Sequence, residues 1–317
     1  MYDCIILGGS GFIGSKLVKS LINQNKKILN LDIVEPNFKS NFSICDITDI
    51  QSLSNAFEPA KTLILLSAAH ADDCDIQDYY SVNHLGTKNT IAVANKFNIK
   101  EIIFISSVAV YGDNQDIDSK NLTPNHHYGK SKLMAENELL IWQKKDINNR
   151  KLKIIRPTAV FGFGSKGNTN RFFLNVIKNR FFFVGNKNTI KSICFVDNLV
   201  DFIIFSLTIN FNFTSNYVDK PDLKLADTTK LINNSKSKKN FFDLTVINFP
   251  FFLFITIYNL LNFIGFINLF IKDLNRERIM RIRKSTTFKG TLPSLNFSPK
   301  ISLNFAIANE VKKYEKI

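Results

Sequence analysis

An apolar run, Cys4-Ile5-Ile6-Leu7, passes directly into Gly8-Gly9-Ser10-Gly11-Phe12-Ile13-Gly14, after which Ile13, Leu17, Leu21 and Ile22 recur at helix spacing. That order predicts a strand, a tight turn and a helix, and restricts the chain to folds that begin on a βα unit. The glycines of Gly8-x-x-Gly11-x-x-Gly14 let the backbone come close to a ligand and leave the amides of the helix start aimed at it, as a pyrophosphate requires. Glycines also serve tight turns for structural reasons alone, so the motif needs a second signal.

That signal is Ser107 together with Tyr128-Gly129-Lys130-Ser131-Lys132. Tyr128 and Lys132 stand one helical turn apart and so share a helix face. A phenol beside an ammonium is a proton-transfer device. The reference pKa of tyrosine, about 10, is too high for a base at neutral pH, and a nearby lysine and a positively charged nicotinamide are expected to lower it. Ser107 is expected to hydrogen-bond the same substrate oxygen. His126 and His127 precede the tyrosine without a metal-ligating partner and read as loop residues; no metal is expected.

Short apolar runs at Lys27–Leu31, Phe42–Cys45, Leu63–Leu66, Ile102–Ile105 and Leu152–Ile155 alternate with helical patterns. The βαβα order predicts an α/β fold, a Rossmann-like doubly wound parallel sheet. In such sheets ligands sit at the carboxyl ends of the strands, and the glycine turn, Asp32, Ala68 and Ser107 all follow strand ends. An acidic residue at Asp32 bonds the ribose hydroxyls and repels a 2′-phosphate, which favours NAD over NADP. Asp46 either holds the adenine amino group or caps the following helix. After Arg156-Pro157 the pattern becomes irregular, with a glycine-rich loop at Gly162, Gly164 and Gly167. This divides the chain into a dinucleotide-binding domain, 1–165, and a smaller α/β substrate-binding portion, 166–317.

Within the second portion, Leu244 to Ile271 carries no charged residue and exceeds the ~20 residues that span a bilayer. Pro250 and Asn248, Asn259, Asn262 and Asn268 oppose a span. The basic cluster Lys272, Arg276, Arg278, Arg281, Arg283 and Lys284 follows, an order that suits an interfacial anchor on an anionic membrane surface; a buried helix with a solvated tail is the competing reading. The formal net charge of +14 over 317 residues favours anionic partners without choosing among them, or reflects a surface solvated by lysine. Four scattered cysteines, Cys4, Cys45, Cys74 and Cys194, suggest neither disulfides nor a zinc site. The start of the chain lacks the features of an export signal, so a cytoplasmic enzyme, peripheral on the inner face of the membrane, is expected.

With these residues in hand the sequence resembles the extended short-chain dehydrogenase/reductase superfamily, in its NAD-dependent epimerase/dehydratase branch. The motifs that carry it are Gly8-x-x-Gly11-x-x-Gly14, Asp32, Asp46, Asn83-x-x-Gly86-Thr87-x-Asn89, Ser106 to Gly112, Tyr128-x-x-x-Lys132 and Arg156-Pro157-Thr158. The resemblance implies a catalytic set of Ser107, Tyr128 and Lys132. It also implies that NAD is held by Gly8, Ser10, Gly11, Phe12, Ile13, Gly14, Asp32, Asp46, Ile47, Ala68, Ala69, Tyr128 and Lys132. Substrate contacts are expected at His70, Ser107, Asn168 and Arg281. Dehydratases of the branch place an Asp-Glu pair after the serine; here Val108 and Ala109 stand there, so dehydration lacks its acid and base. More narrowly, the chain is similar to bacterial 4-epimerases of lipid-diphosphate-linked N-acetylglucosamine, through Leu66 to Asp73, Asn125 to Lys132, Tyr217 to Leu223 and Arg283 to Phe288. Ala71 departs from a basic residue in that pattern. The activity implied is a C4 epimerisation through a 4-keto sugar, on a lipid-diphosphate-linked or a nucleotide-linked sugar. A 4-ketoreductase, a non-catalytic NAD sensor and a nucleic-acid-binding protein are the alternatives, nucleic acid not being the expected partner; a homodimer stays open.

Overall fold

The computed structural model describes residues 1–70, 74–113, 122–165, 167–238, 243–263, 283–290 and 295–316. Contacts gather the chain into two compact units. One comprises Met1–Val160, Cys194–Val218 and Phe288–Lys300, and the other Phe161–Ile193, Asp219–Thr287 and Ile301–Ile317.

The first unit is built on seven strands, β1 (Tyr2–Leu7), β2 (Ile28–Asp32), β3 (Asn41–Ile44), β4 (Ala60–Leu65), β5 (Glu101–Ile105), β6 (Lys151–Pro157) and β7 (Phe213–Tyr217). They form one sheet in the order β7-β6-β5-β4-β1-β2-β3, with every pair parallel. Ile5 of β1, for example, pairs with Leu29 of β2 and Leu63 of β4. Parallel strands need crossovers, and the helices α1 (Phe12–Asn23), α2 (Ile50–Ala56), α3 (Gly86–Lys96), α4 (His127–Lys144) and α5 (Val196–Ser206) provide most of them. A π-helical turn, Tyr79–Leu85, runs into α3.

Because both sheet faces are covered, the strands read as short apolar runs. Alternate residues serve opposite faces. Ile5, Leu7, Leu63, Leu65, Ile102, Phe104, Leu152 and Ile154 pack with Leu53 of α2, Val93 and Ala94 of α3, and Ala135, Leu139 and Trp142 of α4. Cys4, Ile6, Ile64, Ile103, Ile105 and Ile155 pack with Leu17, Val18 and Leu21 of α1 and with Leu199, Phe202 and Ile203 of α5. This face also buries polar side chains, Asn30 of β2, Thr62 of β4 and Lys153 of β6. Fully buried, Lys153 pairs with Glu101 and donates to the Ser206 carbonyl at 2.7 Å, which compensates its desolvation.

The division between the units is not the single cut after residue 165 that the sequence suggests. After leaving the sheet at β6 the chain returns as α5 and β7, and β7 hydrogen-bonds along β6, from Phe213 opposite Lys153 to Tyr217 opposite Pro157. Edge pairing and burial of the α5 face therefore assign 194–218 to the first unit.

The second unit packs the helices Asn168–Ile177, Leu225–Ser235 and Leu303–Tyr314 through Phe173, Val176, Ile232, Ile307 and Val311. Short strand pairs accompany them: Leu223–Lys224 runs antiparallel to Ile190–Lys191, and Asn248–Phe249 runs parallel to Phe183–Val184. The apolar segment is not one continuous helix. Asp243 caps a 3-10 turn at Leu244–Val246, the two-residue strand follows, and a helix, Phe251–Phe263, begins directly after Pro250. Proline suits a helix start, since the amide it lacks has no partner there. No helix of the described residues is long and apolar enough to cross a membrane. On the 251–263 helix Phe254 is buried, whereas Phe252 is 84% and Leu253 47% exposed.

Candidate active site

The glycine turn closes tightly on itself. Gly8 has a φ of +86°, and a Cβ at Gly14 would lie 2.1 Å from the Gly8 carbonyl oxygen, so a side chain there would push α1 off the turn. Helix α1 starts with Gly11 at its N-cap, without a side-chain cap and without an acidic residue in its first turn. Its first amides, around Phe12 and Ile13, therefore keep their donors for an anion, and the helix dipole adds to the attraction. Asp32 ends β2, where its carboxylate accepts the N–H of Ser10 at 2.9 Å and of Val34 at 3.1 Å. The expected phosphate turn and the expected ribose acid are thus joined by a hydrogen bond. This donor set fits the pyrophosphate and ribose of NAD.

Asp46 is exposed and folds its own turn, accepting the backbone N–H and the hydroxyl of Thr48, both at 2.8 Å. The cap of α2 is instead Asp49, which accepts the N–H of Gln51 at 2.8 Å. Ile47 is buried, and its carbonyl accepts from Asn89 at 3.1 Å.

Ser107 follows β5 and caps the 3-10 turn Val108–Tyr111 by accepting the N–H of Ala109 at 3.1 Å. Its side chain lies close enough to the phenol of Tyr128, which sits in the first turn of α4, to act on its ionisation. Gly129 makes this approach possible, because a Cβ there would meet the Ala109 carbonyl oxygen at 2.4 Å. Lys132, one turn on, is 1% exposed, with its ammonium 4.1 Å from the centre of the Phe104 ring.

The electrostatics differ from the sequence expectation. Tyr128 keeps a solvent-facing edge, yet burial pushes its pKa up to about 12, with the Ser107 side chain opposing and Tyr79 adding to the rise. Burial likewise pushes Lys132 down to about 7, with the carboxylate of Glu136 opposing. Desolvation acts on both groups, and its penalty falls on whichever form is charged. Lys132 is thereby placed at its titration point near neutral pH.

Asn83, in the π-helical turn, was not singled out from the sequence as a site residue. It accepts the Ala69 N–H at 2.8 Å and donates to the Ala69 carbonyl at 3.0 Å and to the Ser131 hydroxyl at 2.9 Å. It thus ties the loop after β4, with Ala68 and Ala69, to the helix that carries Tyr128. The signal was present: Asn83 opens the Asn83-x-x-Gly86-Thr87-x-Asn89 block, and its function as a bridge depends on a fold-level meeting. His127 is the first residue of α4 rather than a loop residue, and its Nδ1 lies 2.9 Å from the Tyr80 hydroxyl; His126 takes the N-cap position. His70 is exposed. Asn168 opens its helix in the second unit, exposed, and accepts from Arg171 at 2.9 Å. Arg281 and Ala71 lie outside the described residues.

A parallel sheet in this order, with a glycine turn after β1, a serine after β5 and a Tyr-x-x-x-Lys pair opening α4, defines an extended short-chain dehydrogenase/reductase. The chain belongs to the NAD dependent epimerase/dehydratase family, whose profile matches residues 4–216, and NAD is its cofactor. It is 38% identical over 246 residues to the N-acetyl-alpha-D-glucosaminyl-diphospho-ditrans,octacis-undecaprenol 4-epimerase of Escherichia coli O157:H7, covering 75% of this chain and 73% of that protein. It is 30% identical over 214 residues to the UDP-glucose 4-epimerase of Vibrio cholerae, covering 63% of this chain and 65% of that one. The fold matches the UDP-N-acetylglucosamine 4-epimerase of Bacillus cereus with a TM-score of 0.76 at 18% identity, over 100% of this chain and 98% of the other.

Proposed function

We propose that this protein is an NAD-dependent carbohydrate 4-epimerase that interconverts N-acetylglucosamine and N-acetylgalactosamine on a polyprenyl-diphosphate carrier, for the synthesis of surface polysaccharide. The observation that supports the chemistry is the meeting of Ser107, at the 3-10 turn after β5, with Tyr128 and the buried Lys132 on α4, on a fold whose uncapped glycine turn leaves donors for the dinucleotide. When bound, NAD supplies reversible hydride storage. Gly8, Ser10, Gly11, Phe12, Ile13 and Gly14 hold its pyrophosphate and Asp32 its ribose; Asp46, Ile47, Ala68 and Ala69 complete the binding surface, and Tyr128 and Lys132 border it.

Tyr128 takes the proton of the sugar 4-hydroxyl as the C4 hydride departs, leaving a 4-keto sugar. It returns that proton when hydride re-enters on the opposite face, so protons and electrons balance over the cycle. Ser107 donates to the same oxygen in both half-reactions. Lys132 in its ammonium form favours the phenolate by charge. Val108 and Ala109 follow Ser107 in the 3-10 turn and offer no carboxyl group for elimination.

The carrier is argued from the 38% identity over three quarters of the chain and from the exposed Phe252 and Leu253, which suit an enzyme whose substrate is embedded in a bilayer. His70, Asn168 and Arg281 are the proposed substrate contacts. The protein then works peripherally at the cytoplasmic membrane face. The test is parallel incubation of the purified protein with lipid-diphosphate-linked and UDP-linked N-acetylglucosamine, reading the 4-epimer by mass-matched chromatography. Conversion of the lipid-linked sugar is expected. Conversion of the UDP-linked sugar alone would replace this reading with the nucleotide-sugar epimerase that the Vibrio cholerae relative suggests, and conversion of neither would overturn the epimerase assignment.

A further inference from the structure

Beneath the serine and tyrosine lies a buried polar network that the reaction scheme does not use. Glu136, 1% exposed, stands one turn after Lys132 and two after Tyr128 on α4. The Arg156 guanidinium, at the end of β6, donates through Nε to Glu136 Oε1 at 2.9 Å and through Nη2 to Oε2 at 2.5 Å. Ser106, the residue before Ser107, donates its hydroxyl to Glu136 Oε1. Arg156 Nη1 also donates to the Tyr111 hydroxyl at 2.8 Å, which in turn donates to Asn216 Oδ1 on β7 at 3.0 Å. A single carboxylate is thereby tied to β5, β6, the 3-10 turn that Ser107 caps, and β7.

A buried ion pair is weak as a stability device, because desolvation of both charges offsets most of their attraction and apolar replacements are frequently tolerated. The geometry points to another use. We infer that Glu136 is a positioning residue for the epimerisation: its bond from Ser106 holds the strand end that presents Ser107 beside Tyr128, and its carboxylate, gripped by Arg156, stands one helical turn from Lys132. The inference rests on the catalytic roles proposed above for Ser107, Tyr128 and Lys132.

Glu136 opposes the burial that drives Lys132 toward its neutral form. The other titratable groups carried by elements around α4 are His127, Tyr128, Lys130, Glu138 and Lys144 on the helix itself, Tyr79, Tyr80 and His84 on the π-helical turn, Tyr111 in the 3-10 turn, and Lys151, Lys153 and Arg156 on β6. Of these, His84 pairs outward with Glu138 at 3.1 Å, and Arg156 is already engaged by the Glu136 carboxylate. Lys88 and Lys96 of α3 are exposed. Loss of the Glu136 charge would shift Lys132 further toward its neutral form and leave Tyr128 harder to ionise.

The experiment measures kcat and KM against pH for wild type, Glu136→Gln, the double variant Glu136→Gln/Arg156→Met, Glu136→Asp and Tyr128→Phe, normalised to retained NAD. The double variant removes both charges and so avoids an unpaired buried guanidinium if the single variant fails to fold. The expected result is a rising limb of kcat displaced by about one pH unit upward in the Gln variants, equivalent to about a tenfold loss at pH 7, with KM little changed. Glu136→Asp, which keeps the charge, should hold the limb near the wild-type position. Limbs that coincide with wild type in the double variant, while Tyr128→Phe is inactive, would overturn the role of Glu136 and leave the site reading intact. An active Tyr128→Phe would overturn the site reading itself, and this inference with it.

Discussion

Tyr128 is where one atom decides most. Its hydroxyl is the base of the proposed cycle and the neighbour of Ser107, so Tyr128→Phe should lower turnover at least ~100-fold while sugar binding survives, measured by steady-state kinetics beside a direct binding titration. Asp32→Ala should weaken the preference for NAD over NADP, because the carboxylate that holds Ser10, and that we propose bonds the ribose, is gone; unchanged discrimination in competitive titrations of the two dinucleotides would remove that role. Lys132 leaves a signature in stability. Its folded pKa of about 7 lies below its ordinary value of 10.5, so between these limits the unfolded chain binds the extra proton and stability must rise with pH. Lys191, half-buried and pushed down to about 8, acts in the same direction, whereas Cys4 and Cys45, pushed up to about 12, act oppositely above their ordinary 9.0. Denaturant unfolding of the NAD-stripped protein should therefore show stability increasing from pH 7 to 9, and Lys132→Met should flatten that slope. The sequence showed Tyr128, Lys132 and Ser107 as a set, since motif spacing is local. It could not show that burial shifts both pKa values away from what a reacting pair needs, because desolvation depends on Phe104, Tyr79 and the sheet above them.

At the scale of elements, α4 is the part on which the site turns. It meets the 3-10 turn after β5 so closely that Gly129 has no room for a methyl group, with the Ala109 carbonyl oxygen 2.4 Å from where a Cβ would be. Backbone cannot yield as a flexible side chain can. Gly129→Ala should therefore destabilise the protein by ~1–3 kcal/mol through overpacking and lower kcat further by parting Ser107 from Tyr128. The two readouts are a urea midpoint and turnover per retained NAD; an alanine variant with wild-type values in both would show that the helix and turn can separate at no cost. The strands from β1 to β6 were legible because each carries a short apolar stretch, as strands covered on both faces of a parallel sheet do. Strand β7 was not, since Phe213-Thr214-Ser215-Asn216-Tyr217 lacks such a stretch and owes its place to hydrogen bonds along β6. The cap of α2 is Asp49 rather than the expected Asp46, because the folded backbone brings the N–H of Gln51 to the Asp49 carboxylate.

For the whole molecule, the proposed carrier predicts attachment to lipid. Phe252 and Leu253 stand exposed on the 251–263 helix, and entry of such side chains into an apolar phase is worth ~1.5–3 kcal/mol each when complete. Wild-type protein should co-sediment with anionic vesicles and release partly as salt rises, and Phe252→Ser/Leu253→Ser should bind less at every salt concentration. Indifference of the wild type to both anionic and neutral vesicles would make the apolar segment ordinary surface and core. The sequence by itself determined the opening βα unit, the strands through β6, the glycine turn before α1 and the one-turn spacing of Tyr128 and Lys132, because strand and helix periodicity, glycine turns and one-turn spacing are properties of neighbouring residues. Only the tertiary structure decided that 194–218 rejoins the sheet, that the apolar run breaks at Asn248 to Pro250 into a strand and a helix, and that Glu136, Arg156, Ser106, Tyr111 and Asn216 meet in one buried network. Those outcomes depend on strand order and on which distant polar groups find partners once water is excluded, and no short stretch of chain carries that information.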